Sequence, residues 1–212
     1  MLEDIHWLGH DSFRLDCSST VYIDPWKLAA GSPPADLILI THEHHDHFDV
    51  SDIALIGAET TQVVGPASVT GSLPDMTTIT VSAGQTVTVG TVTITAVPAY
   101  NIDKRRPSGE LCHPPEAGGL GYVVELDGRR VYHAGDTDAI PEMRAVRCDV
   151  ALLPVSGTYV MTAEEAAQAC GMLTAGMVVP VHWGEHVGTE DDAKRFASLC
   201  GTPVTILPRE RG

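Results

Sequence analysis

The sequence predicts one α/β domain that holds mixed β-sheets with helices on their outer sides. Three observations support this prediction. Short extended segments dominate the first part of the chain, while strands and helices alternate in the second part. No linker or low-complexity stretch separates the two parts. The length of 212 residues lies within the range of a single domain with a sizeable core, so we assign residues 1–212 to one domain.

The chain opens with three short extended segments, at residues 5–8, 12–16 and 21–24. β-Branched and aromatic residues dominate them, which predicts an antiparallel meander. The next extended segment, residues 37–40, reads Leu-Ile-Leu-Ile. A continuous apolar run of this length is typical of a strand that is buried on both faces.

A short helix and a set of hairpins are predicted next. Asp49 offers a helix N-cap and Gly57 a stop, so the helix lies between them. Residues 77–97 are rich in Thr and Val and are interrupted by turn residues, as expected of paired strands. Residues 122–132 are divided by Asp127-Gly128, a pair that strongly favours a type I′ hairpin turn.

From Pro141 onward the pattern changes to alternating helices and strands. Thr162 and Glu165 form a capping box, which marks the start of one of these helices. The predicted elements are a helix opened by Pro141, a strand at 150–155, the helix that begins at the capping box, a strand at 177–181, a helix at 190–200 stopped by Gly201, and a last strand at 204–207.

Charge and composition exclude several classes of protein. The chain carries 28 acidic and 13 basic side chains, a formal net charge of −15, besides 10 histidines. This charge repels phosphate backbones and anionic lipids, so we expect no nucleic-acid partner and no membrane binding. Hydrophobic residues make up 43% of the chain and charged residues 19%, which excludes a mainly disordered protein.

Targeting signals and cysteine usage predict a cytoplasmic protein. Residues 1–5 lack the basic region of a secretory signal, and no apolar run approaches the roughly 18 residues of a membrane helix. The five cysteines are widely spaced and form no C-x-x-C pair. That spacing argues against both a disulfide framework and a thiolate zinc site.

The strongest chemical signal is the segment 41–47, Thr-His-Glu-His-His-Asp-His, directly after the buried strand. His42 and His44 stand two residues apart, and Asp46 and His47 are adjacent. In a tight turn, residues two apart can converge on one ion, while the next two reach a neighbouring position. Imidazole and carboxylate suit Zn²⁺, Mn²⁺, Fe²⁺ and Ni²⁺. The segment therefore predicts a site for one or two divalent metal ions.

The segment 42–47 resembles the HxHxDH signature of the metallo-β-lactamase superfamily. Two later blocks match in order, Tyr-His-Ala-Gly-Asp-Thr at 132–137 and Pro-Val-His-Trp-Gly at 180–184. The opening block, residues 7–13, is similar to the branch that includes ascorbate-6-phosphate lactonase and small metal-dependent hydrolases. The resemblance implies a four-layer αβ/βα sandwich, in which two mixed β-sheets carry helices on their outer faces and a metal site lies along one edge.

The resemblance also implies a set of metal ligands. Independently of it, His42, Asp136 and His182 each follow an apolar strand, and α/β sheets gather ligands beyond the carboxyl ends of their strands. Both arguments place the site at the same edge. The implied set comprises His42 and His44 for the first metal, Asp46, His47 and His182 for the second, and Asp136 as a bridge.

One family ligand has no counterpart in the sequence. The family's further histidine follows the strand that ends near residue 100, where this chain has Asn101. Two histidines could replace it: His10, in the turn after the first strand, and His113, in a long loop. We favour His10, because a short turn beside a sheet fixes geometry better than a long loop. In the alternative interpretation, His10 is a buried histidine bonded to a backbone carbonyl, and His113 is a mobile loop residue or contacts the substrate.

Residues 99–119 form a long stretch with little periodicity, which predicts a functional loop such as a lid. It contains Lys-Arg-Arg at 104–106, the only run of three basic residues. This run either attracts an anionic substrate or is a solvated loop tip. His133 lies three residues before Asp136, where it either orients a ligand or packs as an ordinary strand residue.

A bound divalent ion lowers the pKa of water to about 7, so hydroxide forms at neutral pH. The resemblance therefore implies a hydrolase whose metal-bound hydroxide attacks an ester, lactone or phosphoester of a small molecule, with zinc as the first expectation and manganese, nickel or iron as alternatives. We expect Asp46 to orient the nucleophile and accept its proton. Two other classes stay open: an inactive metal-binding scaffold or ligand sensor, favoured by the missing histidine, and an iron-dependent redox protein. An anionic substrate and a homo-oligomer are compatible with the sequence.

Overall fold

Two β-sheets form the centre of the molecule. The structure is a computed structural model that describes residues 2–210, so residues 1, 211 and 212 of the predicted domain lie outside the described part. Within that part, each sheet has six strands that follow one another in chain order. The first sheet holds β1 (Ile5–Gly9), β2 (Ser12–Asp16), β3 (Thr20–Ile23), β4 (Leu37–Leu39), β5 (Gln62–Gly65) and β6 (Thr77–Thr80). The second sheet holds β7 (Thr86–Val89), β8 (Val92–Pro98), β9 (Leu120–Leu126), β10 (Arg129–His133), β11 (Arg147–Pro154) and β12 (Thr174–Val181).

Both sheets are mixed. Strands β1, β2 and β3 pair antiparallel, which confirms the predicted meander, and β3 to β6 continue as parallel strands. In the second sheet, β7 to β10 are antiparallel, whereas β10, β11 and β12 run parallel. Because parallel strands end at the same edge of a sheet, the loops after β10, β11 and β12 leave the second sheet together.

Helices cover the outer face of each sheet. They are α1 (Val50–Ile56), α2 (Ala67–Thr70), α3 (Ala163–Cys170) and α4 (Glu190–Leu199). Helices α1 and α2 pack on the first sheet, and α3 and α4 pack on the second. This order of layers confirms the predicted four-layer αβ/βα sandwich. In the described part of the chain, no helix is long and apolar enough to cross a bilayer.

The main core lies between the two sheets. Leu37 and Leu39 of β4 belong to this inner core, whereas Ile38 belongs to the cluster under α1 and α2. All three side chains are buried. The two-sided burial predicted from the Leu-Ile-Leu-Ile run is therefore confirmed, and it makes β4 a rigid support for the segment that follows.

Local sequence signals set several element ends as predicted. The Asp49 side chain accepts backbone N–H groups at the start of α1. Thr162 and Glu165 form both hydrogen bonds of the capping box at the start of α3. Between β9 and β10, Asp127 and Gly128 have φ values of 50° and 75°, as a type I′ turn requires.

The structure differs from the sequence prediction at four elements. Strand β5 and helix α2 lie where the sequence predicts no element. The helix predicted after Pro141 is a short 3₁₀ helix, Pro141–Ala145. The strand predicted at 204–207 is reduced to a single bridge between Val204 and Val178. Pro203 and Pro208 flank this stretch, and proline lacks the N–H group that a continued ladder needs.

Candidate metal centre

The ends of three strands bring the predicted site residues to one edge of the sandwich. His42 lies three residues beyond β4, Asp136 lies three residues beyond β10, and His182 directly follows β12. The N–H of Leu120 in β9 donates to the Thr41 carbonyl at 3.0 Å and joins the two sheets at this edge. The site therefore spans both sheets at the carboxyl ends of their strands, where α/β folds gather ligands.

The first cluster consists of His42, His44, His113 and Asp136, and ligand atoms of all four lie within 4.8 Å of one another. His44 Nδ1 lies 3.0 Å from His42 Nε2 and 3.1 Å from His113 Nε2. His113 Nε2 also lies 3.2 Å from Asp136 Oδ2. A neutral imidazole carries one N–H and one lone pair, so three ring nitrogens at these distances present converging lone pairs. This is the donor arrangement that a cation requires.

Asn101 holds His113 in the first cluster. Its Oδ1 accepts hydrogen bonds from the His113 backbone N–H at 2.8 Å and from His113 Nδ1 at 2.9 Å. The Asn101 amide in turn donates to Asp138 Oδ1 at 3.2 Å and to the Tyr159 carbonyl at 2.9 Å. Because Nδ1 carries the proton, Nε2 of His113 keeps its lone pair toward the cluster. Asn101 thus positions His113 in the first cluster.

The second cluster consists of His10, Asp11, His47 and His182, which are all buried and whose ligand atoms lie within 4.8 Å of one another. The rings of His10 and His182 are 4.2 Å apart. Asp46 borders this cluster, since its Oδ2 accepts a hydrogen bond from His10 Nε2 at 3.2 Å. The same carboxylate oxygen lies 3.9 Å from His47 Nε2.

Asp136 lies between the two clusters. Its Oδ1 is 3.3 Å from His47 Nε2, while its Oδ2 is 3.4 Å from His182 Nε2. Oδ2 also faces His113 of the first cluster at 3.2 Å. One carboxylate therefore faces histidines of both clusters, as a bridging ligand would.

Hydrogen bonds behind the clusters fix the rings. Asp24 Oδ2 accepts from His47 Nδ1 at 2.7 Å and from the Thr41 hydroxyl at 2.6 Å. Ser156 Oγ lies 2.9 Å from His182 Nδ1. In both histidines the bonded nitrogen is Nδ1, so Nε2 points toward Asp136.

His133 supports the second cluster from inside the core. Its Nδ1 accepts the N–H of Gly135 at 3.1 Å, so its Nε2 donates to the Asp11 carbonyl at 2.9 Å. The ring is fully buried, and neither of these hydrogen bonds joins it to a ligand atom of either cluster. Of the two interpretations given above, the packed strand residue describes its ring, and its hydrogen bond fixes the backbone of Asp11.

Burial keeps the histidines of the first cluster neutral. It lowers the pKa of His42 well below the ordinary value, and it also lowers the pKa values of His44 and His113. Electrostatic repulsion from neighbouring histidines also lowers these pKa values, whereas the negative charge of Asp136 raises them. Each ring therefore keeps a lone pair at neutral pH.

The second cluster shows the opposite balance at two of its histidines. Burial opposes charge at His47 and His182, but the surrounding carboxylates, Asp136 with Asp24 at His47 and Asp136 with Asp11 at His182, together outweigh it and raise both pKa values. Burial lowers the pKa of His10 to about 4. At Asp46 burial opposes ionisation, yet the hydrogen bond from His10 and the electrostatic attraction of His47 and His10 together lower the pKa of the carboxyl group. The edge of the sandwich thus pairs ionised carboxylates with imidazole rings.

Two cavities open onto these clusters. One of about 610 Å³ exposes His42, His44, His113 and Asp136. The other, of about 380 Å³, is lined by His44, His113 and Asp136 of the same cluster and by Asp46. The loop 99–119 lines both cavities, and Asn101, Cys112 and His113 within it are buried. The predicted functional loop is thus a wall of the cavity that contributes a cluster residue.

The structure corrects the expectation about His10. This residue lies in the second cluster, and the first cluster is completed by His113. His113 is only 7% exposed, so it is not the mobile loop residue of the alternative interpretation. The reason is that Asn101 accepts hydrogen bonds from both the backbone and the ring of His113, and these bonds fix this part of the long loop.

Sequence reasoning missed two buried acids. Asp24 is found only through its contact with His47, and no motif marks it. Asp11 stands beside His10 in the opening block, so its position was a usable signal. The two clusters, with Asp46 beside the second, contain every ligand that the sequence predicted: His42, His44, Asp46, His47, Asp136, His182 and His10.

Gly135 controls the position of Asp136, and we expect its replacement to be costly. Its φ is +65°, and a Cβ at this position would lie 2.6 Å from the Leu120 carbonyl. Gly135→Ala should therefore lower the free energy of unfolding by about 2–4 kcal/mol, measured by denaturant unfolding. Gly90→Ala is the control: its φ is +57° but nothing lies within 4 Å, so the loss should stay near 1 kcal/mol. Equal losses in the two variants would contradict this interpretation.

Comparisons with known proteins agree with the fold. A model of the beta-lactamase superfamily domain matches residues 4–182. A UPF0173 metal-dependent hydrolase of Thermococcus onnurineus (strain NA1) is 34% identical over 222 residues, which cover 96% of this chain and 94% of the relative. A second protein of that description, from Methanoculleus marisnigri, is 35% identical over 208 residues, which cover 94% of this chain and 89% of the relative.

A solved structure supports the same assignment. The crystal structure of a protein from Parabacteroides distasonis ATCC 8503 matches with a TM-score of 0.83 and 31% identity, covering 95% of this chain and 91% of the other. The similarity to the ascorbate-6-phosphate lactonase branch stays a prediction, because none of these relatives carries that name. The chain therefore belongs to the beta-lactamase superfamily, among the UPF0173 metal-dependent hydrolases.

Proposed function

We propose that this protein is a metal-dependent hydrolase that cleaves an ester, lactone or phosphoester bond of a small molecule. The observation that carries the proposal is the convergence of imidazole and carboxylate groups on the floor of an open cavity. The description of this chain's relatives as metal-dependent hydrolases supports the same reaction class. The bond type comes from the resemblance of the opening block to a lactonase.

The residues fit a pair of cations. Among the described residues, several buried side-chain atoms that face the clusters have no hydrogen-bond partner. They are His10 Nδ1, both carboxylate oxygens of Asp11, His47 Nε2, Asp136 Oδ1 and His182 Nε2. Buried polar atoms normally find a partner, because leaving them without one is costly. Cations between the clusters would satisfy these atoms.

We propose that His42, His44 and His113 hold one cation, that His47 and His182 hold the other with Asp46 beside it, and that Asp136 bridges them. Imidazole groups outnumber carboxylates in this set, which favours zinc over manganese. When bound, such a cation lowers the pKa of a water molecule to about 7 and polarises an oxygen of the substrate.

Asp46 is the proposed general base. Its side chain lines the cavity beside His113 and Asp136. The hydrogen bond from His10 fixes the orientation of the carboxylate. It is therefore able to accept a proton from the attacking water, provided that the water lies within hydrogen-bond reach.

Arg106 is the proposed contact for a negatively charged group of the substrate. Its Nη2 lies 3.4 Å from His44 Nε2 and 3.3 Å from the Cys112 carbonyl. Since His44 turns Nδ1 toward the cluster, its Nε2 carries the proton and cannot accept a hydrogen bond from Arg106. The guanidinium group thus keeps donors for a carboxylate or phosphate. Lys104 of the same run is instead paired with Asp103 and Glu165, both at 2.8 Å.

The two other classes receive less support. The inactive scaffold was favoured by the missing histidine, and the position of His113 beside His42, His44 and Asp136 supports a complete ligand set instead. No described feature favours iron over zinc in these clusters, so the redox class has no observation of its own. The strong negative charge of −15 still disfavours nucleic acid and membrane surfaces as partners.

The proposal is tested by metal analysis together with a substrate panel. Purified protein should contain one or two equivalents of zinc by mass spectrometry, and it should hydrolyse at least one member of a lactone, carboxylic ester and phosphoester panel. A chelator should abolish this turnover, and added zinc should restore it. Metal without turnover across the panel would support the scaffold, and iron with oxygen consumption would support the redox class.

Replacing the proposed base gives a sharper test. Asp46→Asn should lower kcat by about 100-fold, because the neutral amide cannot accept a proton. Asp75→Asn is the control: it makes the same substitution at an exposed position outside both cavities, and it should leave kcat unchanged. An Asp46→Asn enzyme with full metal content and full turnover would show that another group takes the proton.

A further inference from the structure

Asp11 is a carboxylate in an unusual position. It is fully buried, and neither of its side-chain oxygens has a hydrogen-bond partner among the described residues. His47 Nε2 lies 3.7 Å from Asp11 Oδ2, which is too far for a hydrogen bond. No other carboxyl group of the described residues leaves both its oxygens buried and unpartnered.

Such a group is strongly unfavourable without a compensating charge. A buried carboxylate needs either hydrogen bonds or a cation, and otherwise it takes up a proton. Asp11 therefore favours either a bound cation or protonation, and its surroundings decide between them.

The surroundings of Asp11 consist of further unpartnered ligand atoms. His47 Nε2, His182 Nε2 and His10 Nδ1 are also buried without hydrogen bonds. The four residues place one ligand atom each within 4.8 Å of the others. Three imidazoles and one carboxylate form a donor set that suits a four-coordinate divalent cation. A proton on Asp11 would satisfy one of these atoms, whereas a cation would satisfy one from each residue.

Asp11 and Asp46 differ in their access to the cavities. Asp46 lines the cavity and is hydrogen-bonded to His10. Asp11 lines neither cavity that opens onto the clusters, and the backbone carbonyl beside its side chain is held by His133. Of these two carboxylates, Asp11 is thus the one that is shielded from solvent and has no hydrogen-bond partner.

We propose that Asp11 is a ligand of the cation held with His10, His47 and His182, on the side of the second cluster away from the cavity. The inference rests on the metal binding in the proposed function. It assigns the buried carboxylate to cation binding and leaves Asp46 facing the substrate. The HxHxDH signature does not include this position.

Zinc binding by Asp11→Asn tests the proposal. We expect wild-type protein to bind two zinc ions, and the variant to keep one tight site while the affinity of the other falls by roughly tenfold or more. The measurement is a competition titration of the purified protein with a chromophoric chelator. Asp75→Asn, which removes an exposed carboxylate, should bind zinc as the wild type does. Asp11→Ala serves for the same comparison if the asparagine variant does not fold.

Thermal unfolding with and without zinc separates a ligand from a structural residue. With zinc, Asp11→Asn should have a lower Tm than the wild type, because it loses cation binding. Without zinc, it should have an equal or higher Tm, because it lacks the unpaired buried carboxylate. A lower Tm in both conditions would show that Asp11 stabilises the fold by itself, and would overturn the proposal.

The outcomes distinguish this inference from the proposed function. If the variant bound two zinc ions as tightly as the wild type, only the role of Asp11 would be wrong. If the wild type bound no divalent cation, the proposed function would fail and this inference with it. Wild-type binding of a single ion that Asp11→Asn leaves unchanged would place that ion in the first cluster and overturn the role of Asp11 alone.

Discussion

Asp136→Asn is expected to remove metal from both clusters and to reduce hydrolysis to the uncatalysed background. Asp136 faces His47 and His182 at 3.3 and 3.4 Å and His113 at 3.2 Å. Its two oxygens serve both clusters, and an amide is neutral and offers only one acceptor oxygen. Metal content by mass spectrometry and turnover on a substrate found by the panel are the two measurements.

The change of charge at Asp136 needs its own control. Asp75→Asn makes the same substitution at an exposed position and should retain metal and turnover. Without metal, Asp136→Asn should unfold at a lower temperature than the metal-free wild type, because His47 and His182 lose the carboxylate that stabilises their charged forms. An Asp136→Asn protein that still held two metal ions would refute the bridging role.

His113→Ala is expected to lose one of two bound metal ions and to lower kcat/KM by more than about 1,000-fold. Loss of a hydrogen bond that supports a ligand typically costs about 10–100-fold, and removal of the ligand itself should cost more. His6→Ala is the control, since His6 lies in β1 and contacts Asp16 and Glu210.

A second variant tests how His113 is held. Asn101→Ala removes the acceptor of the His113 Nδ1 proton but leaves the ring in place. We expect the metal affinity of the first cluster to fall by about 10–100-fold. The affinity of Asn101→Ala should therefore lie between that of the wild type and that of His113→Ala. If His113→Ala kept both metal ions, Asn101 itself or another group would have to complete the first cluster.

Much of the fold follows from local signals in the sequence. The Leu-Ile-Leu-Ile run predicted a strand with two buried faces, and β4 has them because it lies inside a six-stranded sheet under two helices. Asp127-Gly128 predicted a turn through its positive φ angles, which depend only on the two residues. The prediction of a last strand was wrong, because Val204–Leu207 would have to pair with β12 along its length. Such pairing is a tertiary contact, and the flanking prolines restrict it.

The sequence by itself determined the nature of the site. The segment 42–47 brings three histidines and one acid of the site together within six residues of chain, so their proximity needs no information about the rest of the fold. Asp136 and His182 were predictable too, because each follows a strand that ends at the shared edge.

Only the tertiary structure decided which further residues complete the two clusters. His113 reaches the first cluster because Asn101 bonds to both its backbone and its ring, a contact across a loop of irregular conformation. His10 and Asp11 belong to the second cluster because β1 and β2 place their turn against His182. Ligand distances are set by these long-range hydrogen bonds and packing contacts, and sequence spacing carries no information about them.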